Sequence, residues 1–166
     1  MKLTVTKLLF IIAFLNLNAQ KKLPEFNDKP AYYNENESTL IELEKSQYNI
    51  MSKAKGVFKA EGGFFLNGAT SPVKIGKKEV LKFIVKVLPG TDPTSVLDLI
   101  QFEIRKDQRI FITVKAKALS NTNSFEKINY TVEKIKDGYY YLIAKELDTG
   151  EYFFGSSDFM FAFSIE

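Results

Sequence analysis

From Val80 onward the chain repeatedly sets apolar side chains two residues apart, and no other feature restricts its fold as strongly. Side chains that point to alternate sides describe strands with one buried face. In Val80 to Leu88, Leu81, Phe83, Val85 and Val87 fall on one side, with Lys82 and Lys86 on the other. Ile110, Ile112, Val114, Ala116 and Ala118 are expected to share a face against Thr113, Lys115 and Lys117. Ile128, Tyr130 and Val132 alternate with Asn129, Thr131 and Glu133, and Tyr139 to Lys145, Glu151 to Phe154 and Phe159 to Ile165 are further aromatic or β-branched runs. Turn formers separate them at Asn67-Gly68, Gly90-Thr-Asp-Pro93, Lys106-Asp107-Gln108, Asp137-Gly138 and Asp148-Thr-Gly150. Short strands at this spacing predict an all-β, antiparallel β-sandwich rather than βαβ units. Lys136-Asp137-Gly138 between two alternating runs predicts a hairpin.

The first 20 residues read differently. Lys2 and Lys7 precede the apolar run Leu8-Leu-Phe-Ile-Ile-Ala-Phe-Leu15, and a polar stretch ends at Ala19-Gln20. This is the pattern of a secretory signal peptide cut after Ala19 or Gln20. The apolar run falls short of the roughly 20 residues that span a bilayer, so the mature chain is expected to be exported with no membrane span. No cysteine follows the cut to carry a lipid. Residues 21–55 form an irregular lead with two prolines, in which Ala31-Tyr-Tyr33 reads as a short edge strand. Residues 40–55 fit either a helix, through Leu40, Leu43, Ile50 and Met51, or a strand. Residues 56–166 make up the sandwich domain.

Charge and composition exclude several functions. Without the signal, the 23 basic residues fall to 21 against 20 acidic ones, a formal +1. The basic face that a nucleic-acid partner requires is missing. Cysteine and histidine are both absent, which removes most zinc sites, cysteine nucleophiles and the usual Ser-His triad. Arg105 and Arg109 are the only arginines, leaving little for bidentate recognition of phosphate. Gly62-Gly63 lacks the Lys-Ser/Thr pair of a phosphate loop, and no Asp-rich loop suits calcium. No cofactor is expected. An outer-membrane barrel would need lipid-facing apolar bands where these strands carry lysine.

Leu147-Asp-Thr-Gly-Glu-Tyr152 is the most informative stretch. Asp148-x-Gly150-x-Tyr152 resembles the tyrosine corner of immunoglobulin-like domains, in which the Tyr hydroxyl bonds back to the backbone and pins a crossover between sheets. The resemblance implies structural roles for Asp148, Gly150 and Tyr152 and an immunoglobulin-like sandwich without the antibody cysteine pair and tryptophan. More loosely, Gly62-Gly63-Phe-Phe-Leu-Asn-Gly68, Asp92-Pro93 and the Gly-Glu-Tyr turn before a Phe-x-Phe ending are similar to features of small uncharacterised exported β-sandwich proteins of Gram-negative bacteria. That likeness brings no catalytic residue with it.

Aromatics are the enriched class, with fifteen Phe and eight Tyr. Consecutive Tyr139, Tyr140 and Tyr141 must point to alternate faces, so at least one ring leaves the core unless both faces are covered. With Tyr33 these are the candidate ligand-binding residues, since Tyr supplies contact area with a polar tip. The expected function is a non-catalytic binding or structural module of the cell envelope with a protein or glycan partner. The alternative is a hydrolase of envelope polysaccharide using two of Asp92, Asp98, Glu103 and Asp107, a chemistry that needs two carboxylates about 5 to 9 Å apart. The lysines at 77, 78, 82, 86, 115 and 117 read as a solvated face that also discourages edge pairing.

Overall fold

The computed structural model describes residues 23–54, 59–117, 120–123, 126–155 and 159–166. The expected signal peptide lies outside the described residues, as do Gly56 and Ala118. The described chain is all-β, with antiparallel sheets and one helical turn, α1 (Pro93–Val96). The first sheet runs in the order β12 (Thr131–Lys136), β13 (Tyr139–Lys145), β7 (Val80–Lys86), β1 (Ala31–Asn34) and β2 (Thr39–Glu42). The middle sheet runs β3 (Glu44–Ser46), β15 (Met160–Ile165), β14 (Gly150–Gly155) and β8 (Asp98–Gln101), with β6 (Lys74–Ile75) parallel to β15. The third runs β11 (Ser120–Asn123), β10 (Gln108–Lys117), β5 (Lys59–Asn67) and β4 (Asn49–Ala54), with β9 (Glu103–Arg105) also on β10.

These sheets stack as three layers because strands of the middle sheet spend both of their faces on cores. Phe154, Phe161, Phe163 and Leu99 point one way and join Leu81, Phe83, Val85 and Leu142 of the first sheet, with Val87 just past the end of β7. Phe153, Met160, Ala162 and Ile100 point the other way and join Leu66 and Phe111 of the third sheet. Every residue of β15 is buried, as expected of a strand covered on both sides. The middle and third sheets are also linked along the chain, since β3 bends into β4 and β8 bends at Phe102 into β9. Such corners let strands switch sheets, and among the described residues they leave three sheets and no closed barrel.

The stretch open between helix and strand folds as strands β2, β3 and β4. The predicted hairpin joins β12 to β13, and Leu81, Phe83, Val85 and Val87 all enter the core as expected. The shared face of Ile110, Ile112, Val114 and Ala116 does not survive. A bulge between Ile112 and Val114 shifts the register on β5, so that Ile112 opposes Gly63 but Val114 opposes Gly62. Opposed residues share a face, so Val114 and Ala116 cross to the side of Phe111. The Gly62-Gly63 pair explains the bulge. A Cβ on Gly63 would lie 2.1 Å from the Phe111 carbonyl oxygen, an approach that only glycine permits.

A polar network ties the middle and third sheets. Arg109 is buried and donates from both terminal nitrogens to the Glu44 carboxylate, at 2.5 and 2.9 Å. Its Nε donates to the Gly68 carbonyl at 3.1 Å. Burial works to raise the Glu44 carboxyl, but hydrogen bonds from Arg109, Ser71 and Ser46 outweigh it and hold the group below its ordinary value. Next to it, Glu151 accepts from the Ser71 backbone N–H at 2.7 Å and from the Ser164 hydroxyl. Among the described residues, no buried side-chain polar atom lacks a partner.

Candidate ligand-binding surface

The crossover from β13 to β14 carries the chain from the first sheet to the middle one, and Tyr152 stands where it lands. Its hydroxyl donates to the Asp148 carbonyl at 2.9 Å, the back-bond expected of a tyrosine corner. Burial, with the nearby Asp148 charge, raises the Tyr152 hydroxyl above its ordinary value despite that bond. The Asp148 side chain points outward to Lys77 Nζ at 2.8 Å, which lowers its carboxyl. Gly150 leaves room for this packing, as a Cβ there would lie 2.8 Å from Gln101 Nε2 and 3.5 Å from the Tyr152 ring.

The outer face of the first sheet gathers three of the four candidate tyrosines. Register sets Tyr139 opposite Lys86 and Tyr141 opposite Ile84 on β7, while Tyr140 opposes Val85. Val85 belongs to the core, so Tyr140 turns inward and packs against it. Tyr139 and Tyr141 stand on the outside with Tyr33 of β1, whose ring centroid lies 6.1 Å from that of Tyr141. All three are half-buried, over the fully buried Ile84. Lysine heads flank the rings. Lys82 Nζ is 5.8 Å from the Tyr141 centroid, and the ammonium groups of Lys86 and Lys136 lie 5.8 and 4.7 Å from that of Tyr139. A hydrogen bond of 2.7 Å to Glu35 raises Lys82 above its ordinary value, and Lys86 donates to the Glu25 carbonyl at 2.9 Å. Lys82 and Lys86, read in sequence as part of a solvated lysine face, stand beside these rings, and the exposed Lys136 joins them.

Each of the four carboxylates considered for hydrolysis has a partner of its own, although Asp92 and Asp98 both lie near the half-buried Tyr130 hydroxyl. Asp92 caps α1, accepting from the Thr94 N–H at 2.9 Å, and Asp107 accepts from the Ala69 N–H at 3.2 Å. Glu103 pairs with Arg105, and Asp98 with Lys127 at 2.9 Å. Among the described residues, no group of three or more acidic side chains converges as metal ligands, and no helix is long and apolar enough to cross a membrane.

Sequence reading missed a second feature. Among the described residues, Tyr48, Phe64, Ile100, Phe111, Phe153 and Met160 line a cavity of about 410 Å³ between the middle and third sheets. Ser95, Asp98 and Thr113 add polar groups to its wall. The doubled Phe64-Phe65 was its only visible signal, because the remaining wall residues come from strands far apart in sequence. No protein-family model, curated protein or solved structure matches this chain, so both features are read from their own chemistry.

Proposed function

We propose that this chain is an exported, non-catalytic binding domain of the cell envelope, built on an immunoglobulin-like sandwich, and that its tyrosine face takes a glycan. Strand order supports the scaffold. Immunoglobulin constant-type domains place strands A, B, E and D in one sheet and C, F and G in the other. The order β1-β7-β13-β12 matches the first set, and β8-β14-β15 matches the second. On this reading Tyr152 opens strand F at the E–F corner. Phe154, two residues later, occupies the place of the second cysteine in antibody domains. Its ring meets Phe83 of the B-equivalent strand edge-on at 5.0 Å, an aromatic pair spanning the sheets where a disulfide otherwise would. The third sheet is then an elaboration, added between A and B and between C and D.

The observation that carries the functional reading is the shared outer face of Tyr33, Tyr139 and Tyr141. Phenol rings offer apolar area for the faces of sugars together with hydroxyls for their polar edges. Lysines set among the rings fit hydroxyl- and carboxylate-bearing sugars, whereas the cores of protein interfaces are depleted in lysine. The export reading rests on the charged and apolar pattern of residues 1–20.

Affinity electrophoresis in gels containing envelope polysaccharides tests the binding. The wild-type chain is expected to be retarded, and Tyr141→Ala to weaken binding by about tenfold, equivalent to about 1.4 kcal/mol. Equal mobility of both proteins in every polysaccharide would refute the glycan reading. Expression in a Gram-negative host followed by amino-terminal sequencing tests export, with Gln20 or Lys21 expected as the first residue of the periplasmic species. A cytoplasmic protein retaining its leader would refute it.

A further inference from the structure

We propose that the cavity between the middle and third sheets is a binding site for one small, flat aromatic molecule carrying a hydrogen-bond donor at one end. The proposal is independent of the glycan reading, since the tyrosine face lies on the outside of the first sheet and the cavity two layers away. The pocket, open to solvent at its rim, has a volume of about 410 Å³. It falls within the range of about 300–1,000 Å³ typical of ligand pockets. An occupant would displace water from its aromatic wall.

The wall specifies the occupant. Its rings are arranged in sequence, with Tyr48 against Phe64 at 4.4 Å, Phe64 stacked with Phe111 at 6.4 Å, and Phe111 edge-on to Phe153 at 5.3 Å. Faces and edges are therefore both presented, and a flat π-system of two fused rings meets each in its favoured geometry. Met160, 3% exposed, adds a polarizable sulfur of the kind that packs well at ring edges. The polar part of the wall comes from Ser95, Asp98 and Thr113. Asp98 is an acceptor with up to four lone-pair sites, of which Lys127 takes one at 2.9 Å. A phenol or aromatic amine can donate to it, whereas the carboxylate of a fatty acid would meet a like charge.

Methyl NMR gives a direct test, because the chain contains only Met1, Met51 and Met160. Met51 opposes Gly63 on the face of β4 and β5 away from Phe64, so its methyl serves as the control. The chain, labelled with ¹³C in its methionine methyls, is titrated with 2-naphthol and separately with decanoate. With 2-naphthol, the Met160 signal is expected to move saturably while Met51 stays in place. Half-saturation is expected on the order of 0.1 mM, an ordinary efficiency for a ligand of about 11 heavy atoms. Decanoate is expected to bind at least roughly tenfold more weakly. Thr113→Trp should fill the cavity and abolish the Met160 shift, and Val96→Trp, at a rim position 37% exposed, provides a second plug should the first variant not fold. The proposal is overturned by an unmoved Met160 signal, by a shift that survives a folded plug variant, or by decanoate binding as tightly as 2-naphthol.

Discussion

The two faces of the middle sheet put the same kind of side chain to different use. Toward the first sheet, Phe154 and Phe163 each lie 5.0 Å from Phe83, and all three are essentially without solvent exposure. Toward the third sheet, Phe153 packs on Phe102 at 4.5 Å but also borders the cavity. A strand can thus serve a closed interface with one set of alternate positions and an open one with the other. What distinguishes the two is the partner sheet. The first supplies a full row of branched and aromatic side chains from β7, while the third turns the bare Gly62 toward the middle sheet and supplies Arg109, which pairs with Glu44 of β3.

Paired truncations test that contrast most strongly. Phe154→Ala is expected to lower stability by about 4 kcal/mol, in the range of about 3–5 kcal/mol usual for buried phenylalanine. Phe153→Ala should cost less, because the solvent-open pocket beside it lets water into the space the ring vacates. Urea denaturation of both variants checks this, and a larger loss at Phe153 would break the contrast.

The next largest effect is expected in the polar tie. Arg109→Met leaves Glu44 without its cation and should cost about 3 kcal/mol, since breaking one side of a buried pair strands a charge. The same pair sets an acid limb. The Glu44 carboxyl is held below its ordinary value of 4.5 in the folded chain, so the unfolded chain takes up the proton first. The stabilisation from this group is therefore complete above that value and lost as pH falls toward the folded value. Denaturation midpoints measured from pH 6 downward should decline less in Glu44→Gln than in the wild type. Parallel declines would remove Glu44 from the account.

The smallest effect belongs to the crossover. Tyr152→Phe removes one hydroxyl-to-carbonyl bond and is expected to cost about 1 kcal/mol, with no change in the glycan or naphthol assays. A loss of several kcal/mol would mean that the corner contributes far more than its single bond.

The closed face was largely legible in the sequence. Leu81, Phe83, Val85 and Val87 announce themselves by period, and Tyr152 by its spacing from Asp148 and Gly150. The third layer was not, for a physical reason: Met160-Phe-Ala-Phe-Ser-Ile165 is buried throughout, so alternation between two cores reads only as a uniformly apolar run. The bulge at Thr113 likewise swaps faces partway along β10, which a strict two-residue period cannot anticipate. Glu44 and Arg109 are 65 residues apart, and nothing local pairs them. Of the tyrosine face, the alternation of Tyr139 to Tyr141 was foreseeable. The approach of Tyr33 depends on β1 pairing with β7, a long-range choice.

Placing β14 and β15 at the centre of three layers also bears on how the molecule opens. Peripheral strands such as β2, β4 and β12 can detach in small fluctuations, each exposing only one interface. For the amides of Tyr152, Phe153 and Phe154 to reach deuterium, both neighbouring layers must part. Their exchange should track complete unfolding, so the slowest protons in the chain report its global free energy directly.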